Sequence, residues 1–316
     1  AGSTQFLAIP TLSESLAGRV GFINLWGLSV AERCGYTGNF CDLAFNDPAA
    51  FVDSNSHWQR KDYIKAVIQG GYPELLPMPA TANARHTWFT GYLTTIVERD
   101  ISSFAEIERI SALQAILKLV AARAGSLVVQ SDLARSLQLN RETVRNYLGY
   151  LELVFLLATI PSWSNNLSSR IARTPKTYVT DSGLAAHLLG VEAQALATPG
   201  HSALGGLLET FVLSEIMKLQ SVADTPFEIH HYRERDDREI DLILEDRQGR
   251  VVAIEVKASV SPPAGAARHL HWLGDRLGDR LRAGILLHLG PQGGSLGDRI
   301  YSLPVSSLWG NTGHGL

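Results

Sequence analysis

Cysteine is almost absent from this sequence of 316 residues, which contains only Cys34 and Cys41. Their spacing fits no usual zinc site, and no second pair could complete one. We interpret them as reduced thiols, which predicts a cytoplasmic protein without a disulfide framework. Long apolar runs are missing as well, because the longest, residues 153–160, is too short to span a bilayer. The sequence therefore argues against a zinc ribbon and a disulfide scaffold, and it predicts no membrane contact.

An excess of positive charge is also missing. The 28 lysines and arginines are outnumbered by 31 aspartates and glutamates, so the net charge is -3. No global positive field attracts nucleic acid, and any such contact would depend on local patches. The phosphate-binding pattern G-x-x-x-x-G-K-[ST] does not occur, so the chain as given cannot form a P-loop. A composition of 45% hydrophobic and 19% charged residues is typical of a globular chain with two or three domains.

The middle of the chain has the order of elements that is typical of a winged helix-turn-helix. The pattern predicts helices over 111–124 and 130–137, the second capped by Ser131, and a third that Asn140 caps. Residues 155–160 and 176–180 are the candidate wing strands.

The candidate nucleic-acid contacts are polar and basic side chains of the third helix and the wing: Arg141, Thr143, Arg145, Asn146, Arg170, Arg173 and Lys176. The charges over 130–152 sum to zero, which is little for phosphate neutralisation. A module that only packs between two other domains is therefore the alternative.

The chemistry-bearing residues lie in the last third of the chain, after a polar linker at 195–202. The pattern there predicts a long helix, three strands, a second helix and two more strands, with the helices at 206–220 and 264–277 and the strands at 227–234, 239–245, 251–259, 283–289 and 299–303. The glycine-rich segment 293–297 is interpreted as a flexible turn.

Two of these predicted strands and the long helix carry a set of acids and one lysine. Alternation along a strand places Glu255 and Lys257 on one face, and Asp241 lies in the strand before. Glu209 lies on the apolar stripe of its helix, where an unpaired carboxylate would be costly to bury. We therefore expect a metal ion, or Lys257, as the partner of these carboxylates.

The predicted metal is Mg²⁺ or Mn²⁺, because hard oxygen ligands suit these ions. Asp241, Glu255 and the backbone carbonyl of Val256 are the candidate ligands, and Glu209 would hold a second metal or its water shell. The metal would activate water, and Lys257 would orient that water or stabilise developing negative charge. A Glu-x-Lys pair alone is usually a solvated ion pair, so the prediction depends on all four residues together.

With these residues in place, the chain resembles a large family of prokaryotic AAA-type ATPases whose C-terminal half joins a winged helix to a PD-(D/E)XK nuclease-like domain. The resemblance extends over nearly the whole chain, in the segments Gly2-Ser-Thr-Gln-Phe6, Leu16-Ala-Gly-Arg19, Leu28-Ser-Val-Ala-Glu32, Gly70-Gly-Tyr-Pro-Glu74, Arg99-Asp-Ile101, Thr143-Val-Arg-Asn-Tyr-Leu148, Lys176-Thr-Tyr-Val-Thr-Asp-Ser-Gly183, Gly206-Leu-Leu-Glu209, Glu239-Ile-Asp241 and Ile254-Glu-Val-Lys257.

The resemblance implies an α/β multidomain protein in four segments: a C-terminal remnant of an ATPase domain at 1–32, a helical linker or lid at 33–105, a winged helix-turn-helix at 106–194, and a restriction-endonuclease-like domain at 203–316. It also implies an intact parent that binds ATP and Mg²⁺ through elements preceding Ala1. In that parent Ser3 or Thr4 would be the sensor polar residue, and Arg19 a sensor or finger arginine.

The leading functional prediction is ATP-coupled, Mg²⁺-dependent action on nucleic acid by a phosphodiesterase or nuclease, in genome defence or mobile-element control. One alternative is a non-catalytic, nucleotide-switched regulator that binds DNA or protein through a degenerate nuclease fold. Another is a toxin–antitoxin component with a small protein partner. DNA is the expected partner, and whether the chain is an enzyme or a homo-oligomer stays open at this point.

Overall fold

The computed structural model of the chain describes residues 23–78, 81–105, 107, 109–164, 174–234 and 238–310. Of the predicted site residues, Ser3, Thr4, Arg19, Arg170 and Arg173 lie outside these ranges. The architecture is mixed α/β, with helices packed around a six-stranded sheet and a separate two-stranded sheet. No helix in the described part of the chain is both long enough and apolar enough to cross a membrane.

The first part of the described chain is helical. Its α-helices are α1 (Val30–Arg33), α2 (Phe40–Asn46), α3 (Arg60–Gln69) and α4 (Ala82–Thr95), and α4 continues into a π-helical turn at Ile96–Asp100. A capping box starts α1: the Ser29 side chain accepts a hydrogen bond from the backbone of Glu32, and the Glu32 carboxylate accepts one from the Ser29 backbone.

The next part contains three helices followed by an antiparallel pair of strands. These elements are α5 (Ile110–Ala122), α6 (Gln130–Leu137), α7 (Arg141–Leu153), β1 (Leu157–Ile160) and β2 (Lys176–Val179). Asn140 caps α7 by accepting a hydrogen bond from the Thr143 N–H at 2.6 Å, as the sequence predicted. The cap predicted for α6 is wrong, because that helix begins at Gln130 and Ser131 lies inside it.

Three helices, α8 (Ser182–Leu189), α9 (Ala193–Ala197) and α10 (Ala203–Gln220), lead to the large sheet. Nearly every residue of α10 from Leu207 to Leu219 is buried, which is typical of a helix surrounded by protein. Charged residues of α10 are therefore placed among other elements, where they need partners.

The six-stranded sheet has the order β3-β4-β5-β6-β8-β7. Its strands are β3 (Phe227–Arg233), β4 (Glu239–Asp246), β5 (Val251–Lys257), β6 (Leu281–His288), β7 (Gly294–Gly297) and β8 (Ile300–Pro304). Neighbours β3, β4 and β5 pair antiparallel, whereas β5, β6 and β8 pair parallel. The interpretation of 293–297 as a flexible turn is wrong, because most of this segment forms the edge strand β7.

Helix α11 (Arg268–Leu277) covers one face of this sheet, and α10 packs against the other. The chain beyond β1 continues alongside β3: the Trp163 N–H donates to the His231 carbonyl at 2.6 Å, and the His231 N–H donates to the Pro161 carbonyl at 3.0 Å. This contact brings β2 against the end of the large sheet where β4 begins. A single buried apolar cluster extends from Val30 to Trp309, so the helical and sheet regions share one core.

Candidate functional site

Two of the predicted acids lie side by side in the centre of the sheet. The pairing of β4 with β5 includes Leu242 and Ile254, and Asp241 and Glu255 are the next residues along these two strands. Asp241 Oδ2 accepts a hydrogen bond from the Val256 N–H at 2.7 Å, so the backbone of β5 fixes the position of this carboxylate. Both acids are almost completely buried, with 9% of Asp241 and 6% of Glu255 exposed.

Lys257 is the partner of Glu255. Its Nζ donates to Glu255 Oε1 at 2.7 Å, and about a third of the lysine side chain remains exposed. Burial raises the pKa of Glu255, and the nearby Lys257 only partly opposes this. The second oxygen, Glu255 Oε2, is buried and has no hydrogen-bond partner among the described residues. One carboxylate oxygen is therefore available to another ligand.

Glu209 meets a different lysine from the one expected. Lys176 Nζ lies 3.0 Å from Glu209 Oε1 and 2.7 Å from Glu239 Oε1, and the Tyr178 hydroxyl also donates to Glu209. Burial disfavours the charge on Lys176, but Glu209, Asp241 and Glu239 outweigh it and raise the pKa of this ammonium. The lysine is therefore a permanent cation held by carboxylates.

The position of Lys176 corrects a prediction. The sequence suggested an exposed wing lysine that contacts nucleic acid, but the residue has 0% of its surface exposed. A phosphate cannot reach it in this conformation, because β2 turns the side chain toward α10 and β4. Arg141, Arg145 and Asn146 are exposed on α7, and Thr143 is half-buried there. The prediction that these four contact nucleic acid stays a prediction.

We name Glu209, Glu239, Asp241 and Glu255 the carboxylate cluster. Its cations are Lys176, Lys257 and, at 3.6 Å from Glu239, Arg233. Among the described residues, four carboxyl groups thus meet three cations. Burial, then Glu209 and Glu255, raise the pKa of Asp241 well above the ordinary range of an aspartate. The raised pKa favours a protonated, neutral Asp241 in the absence of a further cation.

The cluster fits a hard divalent cation in its chemistry and its charge. Every side-chain ligand atom of the four acids is an oxygen, Glu255 Oε2 has no hydrogen-bond partner in the described part of the chain, and a divalent ion could take the place of the proton that the raised pKa of Asp241 favours. In the described ranges no three His, Cys, Asp or Glu side chains already converge as a metal-binding group. Asp241, Glu255 and the backbone of Val256 are the residues that would hold the ion, after side-chain rotation.

Sequence reasoning missed two members of this site. Glu239 lies two residues before Asp241, and residues two apart in a strand share a face, which was a usable signal. His269 of α11 places Nδ1 2.9 Å from the Glu239 carbonyl, and it also acts electrostatically on Glu255. No local pattern could have found His269, since its contact depends on how α11 crosses the sheet.

His231, next to Lys176, should make stability depend on acid pH. Burial, reinforced by Lys176, lowers the pKa of this imidazole from 6.5 to about 4. In the unfolded chain His231 therefore binds a proton near pH 6.5, whereas in the folded chain it binds this proton only near pH 4. We expect the free energy of unfolding to fall by about 2–3 kcal/mol across this window from this residue, at about 1.4 kcal/mol per unit.

Chemical denaturation from pH 7.5 to pH 4 measures this slope. The variant His231→Gln should be less sensitive to acid, whereas His57→Gln, at an exposed position, should follow the parent chain. An unchanged slope in His231→Gln would contradict a neutral, buried His231.

The chain matches two family models, both described only as domains. Residues 60–195 match "Domain of unknown function (DUF8612)", and residues 204–308 match "Domain of unknown function (DUF4143)", a domain found in AAA-ATPase-associated proteins. Lys176 and Tyr178 belong to the first matched segment, and the carboxylate cluster belongs to the second. The ion pairs at Glu209 and Glu239 therefore join the two segments.

Two relatives are similar over most of the chain: the "Uncharacterized protein Rv2008c" of Mycobacterium tuberculosis and the "Uncharacterized protein Mb2031c" of Mycobacterium bovis. Each is 30% identical over 261 residues, which is 83% of this chain and 52% of the relative. The chain thus spans about half the length of these relatives. No solved structure matches it. The chain is similar to uncharacterized mycobacterial proteins, and residues 204–308 match the model of a domain found in AAA-ATPase-associated proteins.

Proposed function

We propose that the carboxylate cluster is a Mg²⁺- or Mn²⁺-dependent phosphodiesterase site that acts on nucleic acid, within a longer protein that couples this action to ATP. One observation carries the proposal: among the described residues, the buried acids Glu209, Asp241 and Glu255 and the half-buried Glu239 meet three cations, and burial and acidic neighbours raise the pKa of Asp241. The raised pKa favours a proton on Asp241 in the absence of a metal ion, and a network that only stabilises the fold gains little from such a buried acid. A divalent cation could take the place of this proton.

The roles of the residues follow from their positions. Asp241, Glu255 and the Val256 backbone would hold the cation, which when bound supplies an activated water and neutralises phosphodiester charge. Burial works against the charge of Lys257, but Glu255 and Asp241 raise the pKa of its ammonium. Lys257 is therefore a donor that stabilises negative charge, and it does not serve as a general base.

Access to the cluster is from the side of Lys257. This side chain is about one-third exposed, whereas Glu209 is covered by Lys176, Tyr178 and the backbone at Gly125. A phosphodiester would meet Lys257 first and Glu255 next. Glu209 then acts as a supporting charge behind the site, and the prediction that it holds a second metal is not part of this proposal.

The second candidate function is a non-catalytic one, a DNA- or protein-binding regulator. This candidate is supported by the ion pairs of Lys176 with Glu209 and Glu239, because an internal cation already neutralises these two carboxylates. A protein of this kind needs no metal. The two candidates therefore differ in one measurable property, the affinity of the cluster for Mn²⁺.

Calorimetric titration with Mn²⁺ tests the proposal. The parent chain should bind the ion, and Asp241→Asn and Glu255→Gln should bind it at least about 100-fold more weakly, because each removes an anionic ligand. The control Asp279→Asn, whose side chain is 99% exposed, should bind as the parent does. Hydrolysis of single- and double-stranded DNA and RNA should follow the same order. A parent chain that binds no Mn²⁺ at millimolar concentration would instead favour the regulator.

A further inference from the structure

An open groove of about 680 Å³ lies on the face of the sheet that α11 covers. The loop at 262–267 and the start of α11 form one wall, and side chains of β6, β7 and β8 form the floor and the other wall. Its volume is in the range of pockets that take small organic ligands. None of the residues assigned to the carboxylate cluster lines it.

The floor of the groove leads directly to the cluster. In the parallel register Glu255 pairs with Leu286, and Leu286 pairs with Ser302. Residues paired across neighbouring strands point to the same face, so these three side chains form one row across the sheet. Two strand spacings place Ser302 about 10 Å from Glu255 along that row. The groove and the cluster therefore lie on the same face of the sheet, with the buried Leu286 between them.

The wall of the groove combines the aromatic ring of Trp272 with the basic Arg268 and the acidic Asp275. Trp272 is half-buried, and the guanidinium carbons of Arg238 and Arg276, which do not line the groove, lie over its ring at 5.0 and 5.5 Å from the centroid. Leu286 and Leu296 also line the groove. A flat aromatic face among guanidinium groups is the combination on which single-stranded nucleic acids place their bases.

Arg268 connects the groove to the cluster. It lines the groove, and its Nε donates to His269 Nε2 at 3.0 Å. This bond leaves His269 Nδ1 as the donor to the Glu239 carbonyl, 2.9 Å away. The guanidinium is exposed, so it remains free to contact a phosphate between the groove and the acids.

We propose that this groove is a nucleotide subsite, which takes one nucleotide of a single strand beside the phosphodiester at the carboxylate cluster. The base lies against Trp272 and its phosphate contacts Arg268. A single strand is required because a base must leave its stack to reach a half-buried ring. This inference rests on the proposed function, which it deepens by naming the substrate class.

Binding of a fluorescein-labelled thymidine decamer, followed by anisotropy in EDTA, tests the subsite without hydrolysis. Trp272→Ala should weaken binding about 5- to 100-fold, since one stacked base contributes that much, and Trp272→Phe should restore most of it. Arg268→Ala, at an exposed position, should weaken binding several-fold and reduce its salt dependence. Arg247→Ala removes the same charge from the exposed β4–β5 turn, at the opposite end of these strands, and should bind as the parent does.

The outcomes separate this inference from the proposed function. Binding that is unchanged in Trp272→Ala and Arg268→Ala, or absent from the parent chain, overturns the subsite even if Mn²⁺-dependent hydrolysis is observed. Loss of binding in both variants supports it even if the chain binds no Mn²⁺, in which case the phosphodiesterase proposal fails and a single-strand binding groove remains. Equal loss in Arg247→Ala also overturns the subsite, because binding would then reflect overall charge.

Discussion

Replacing Lys176 with methionine should lower the free energy of unfolding by about 3–5 kcal/mol in metal-free buffer, as expected when one partner of a buried ion pair is removed. The lysine is fully buried and contacts the buried Glu209 and the half-buried Glu239, so its loss leaves both carboxylates without this cation. Methionine keeps much of the side-chain volume, and the loss should therefore be electrostatic. Guanidinium denaturation with linear extrapolation measures it.

Lys218→Met is the matched control. Lys218 is also a buried lysine, and its Nζ lies 2.8 Å from Glu215 on α10. We expect a similar loss of stability in both variants. Mn²⁺ at a hundredfold excess over the dissociation constant should return about 2.7 kcal/mol to Lys218→Met, whose carboxylate cluster is intact. It should return at least as much to Lys176→Met, because loss of the ammonium leaves the cluster more negative and raises its affinity for the ion. Rescue of neither variant would contradict a cation site at the carboxylate cluster.

Lys176 links the two segments that the domain models match. It lies on β2, in the segment matched by the first domain model, while its carboxylates lie in the second. Under the proposed function, a divalent cation held by Asp241 and Glu255 would lie close to this ammonium and repel it, because Asp241 is also an electrostatic neighbour of Lys176. Cation binding would then weaken the contact between β2 and α10, and any force that moves β2 would change the affinity of the cluster for metal.

Local sequence rules predicted the elements that carry the site. The predicted strands placed Asp241 beside Glu255 and Lys257, and alternation placed the last two on one face. In the structure the Asp241 carboxylate accepts a hydrogen bond from the backbone N–H of the residue after Glu255. The apolar stripe on α10 predicted that Glu209 is buried, and it is 9% exposed. These features depend on the period of a single helix or strand, which a sequence displays directly.

The features that the sequence could not predict depend on packing between distant elements. Lys176 and Glu209 are 33 residues apart, and a lysine at the start of a predicted wing strand is ordinarily exposed. His269 reaches Glu239 from 30 residues away. The edge strand β7 was missed because the sequence there is Gly294-Ser-Leu-Gly297, which has low strand propensity, and only pairing with β8 holds it extended.

Gly125→Ala should also have a large effect, with a loss of about 2–5 kcal/mol in the free energy of unfolding. The backbone φ of Gly125 is +79°, where an L-residue costs about 1–2 kcal/mol. An added Cβ would lie 2.5 Å from Glu209 Oε2, and such overpacking costs about 1–3 kcal/mol more. The carboxylate cannot turn away freely, because Lys176 and Tyr178 hold its other oxygen.

Gly200→Ala isolates the backbone contribution, since Gly200 has a φ of +75° and no atom within 4 Å of an added Cβ. It should lower the free energy of unfolding by only about 1–2 kcal/mol, which is the cost of placing an L-residue in the left-handed region. Gly125→Ala would have the same effect if its added Cβ met no other atom. In a Glu209→Ala background, the further loss caused by Gly125→Ala should fall to that of Gly200→Ala, as a double-mutant cycle in denaturant would show. If Gly125→Ala costs no more than Gly200→Ala in the parent chain, Glu209 can move. The carboxylate cluster would then be adaptable, and the case for a fixed Lys176–Glu209 contact would fail.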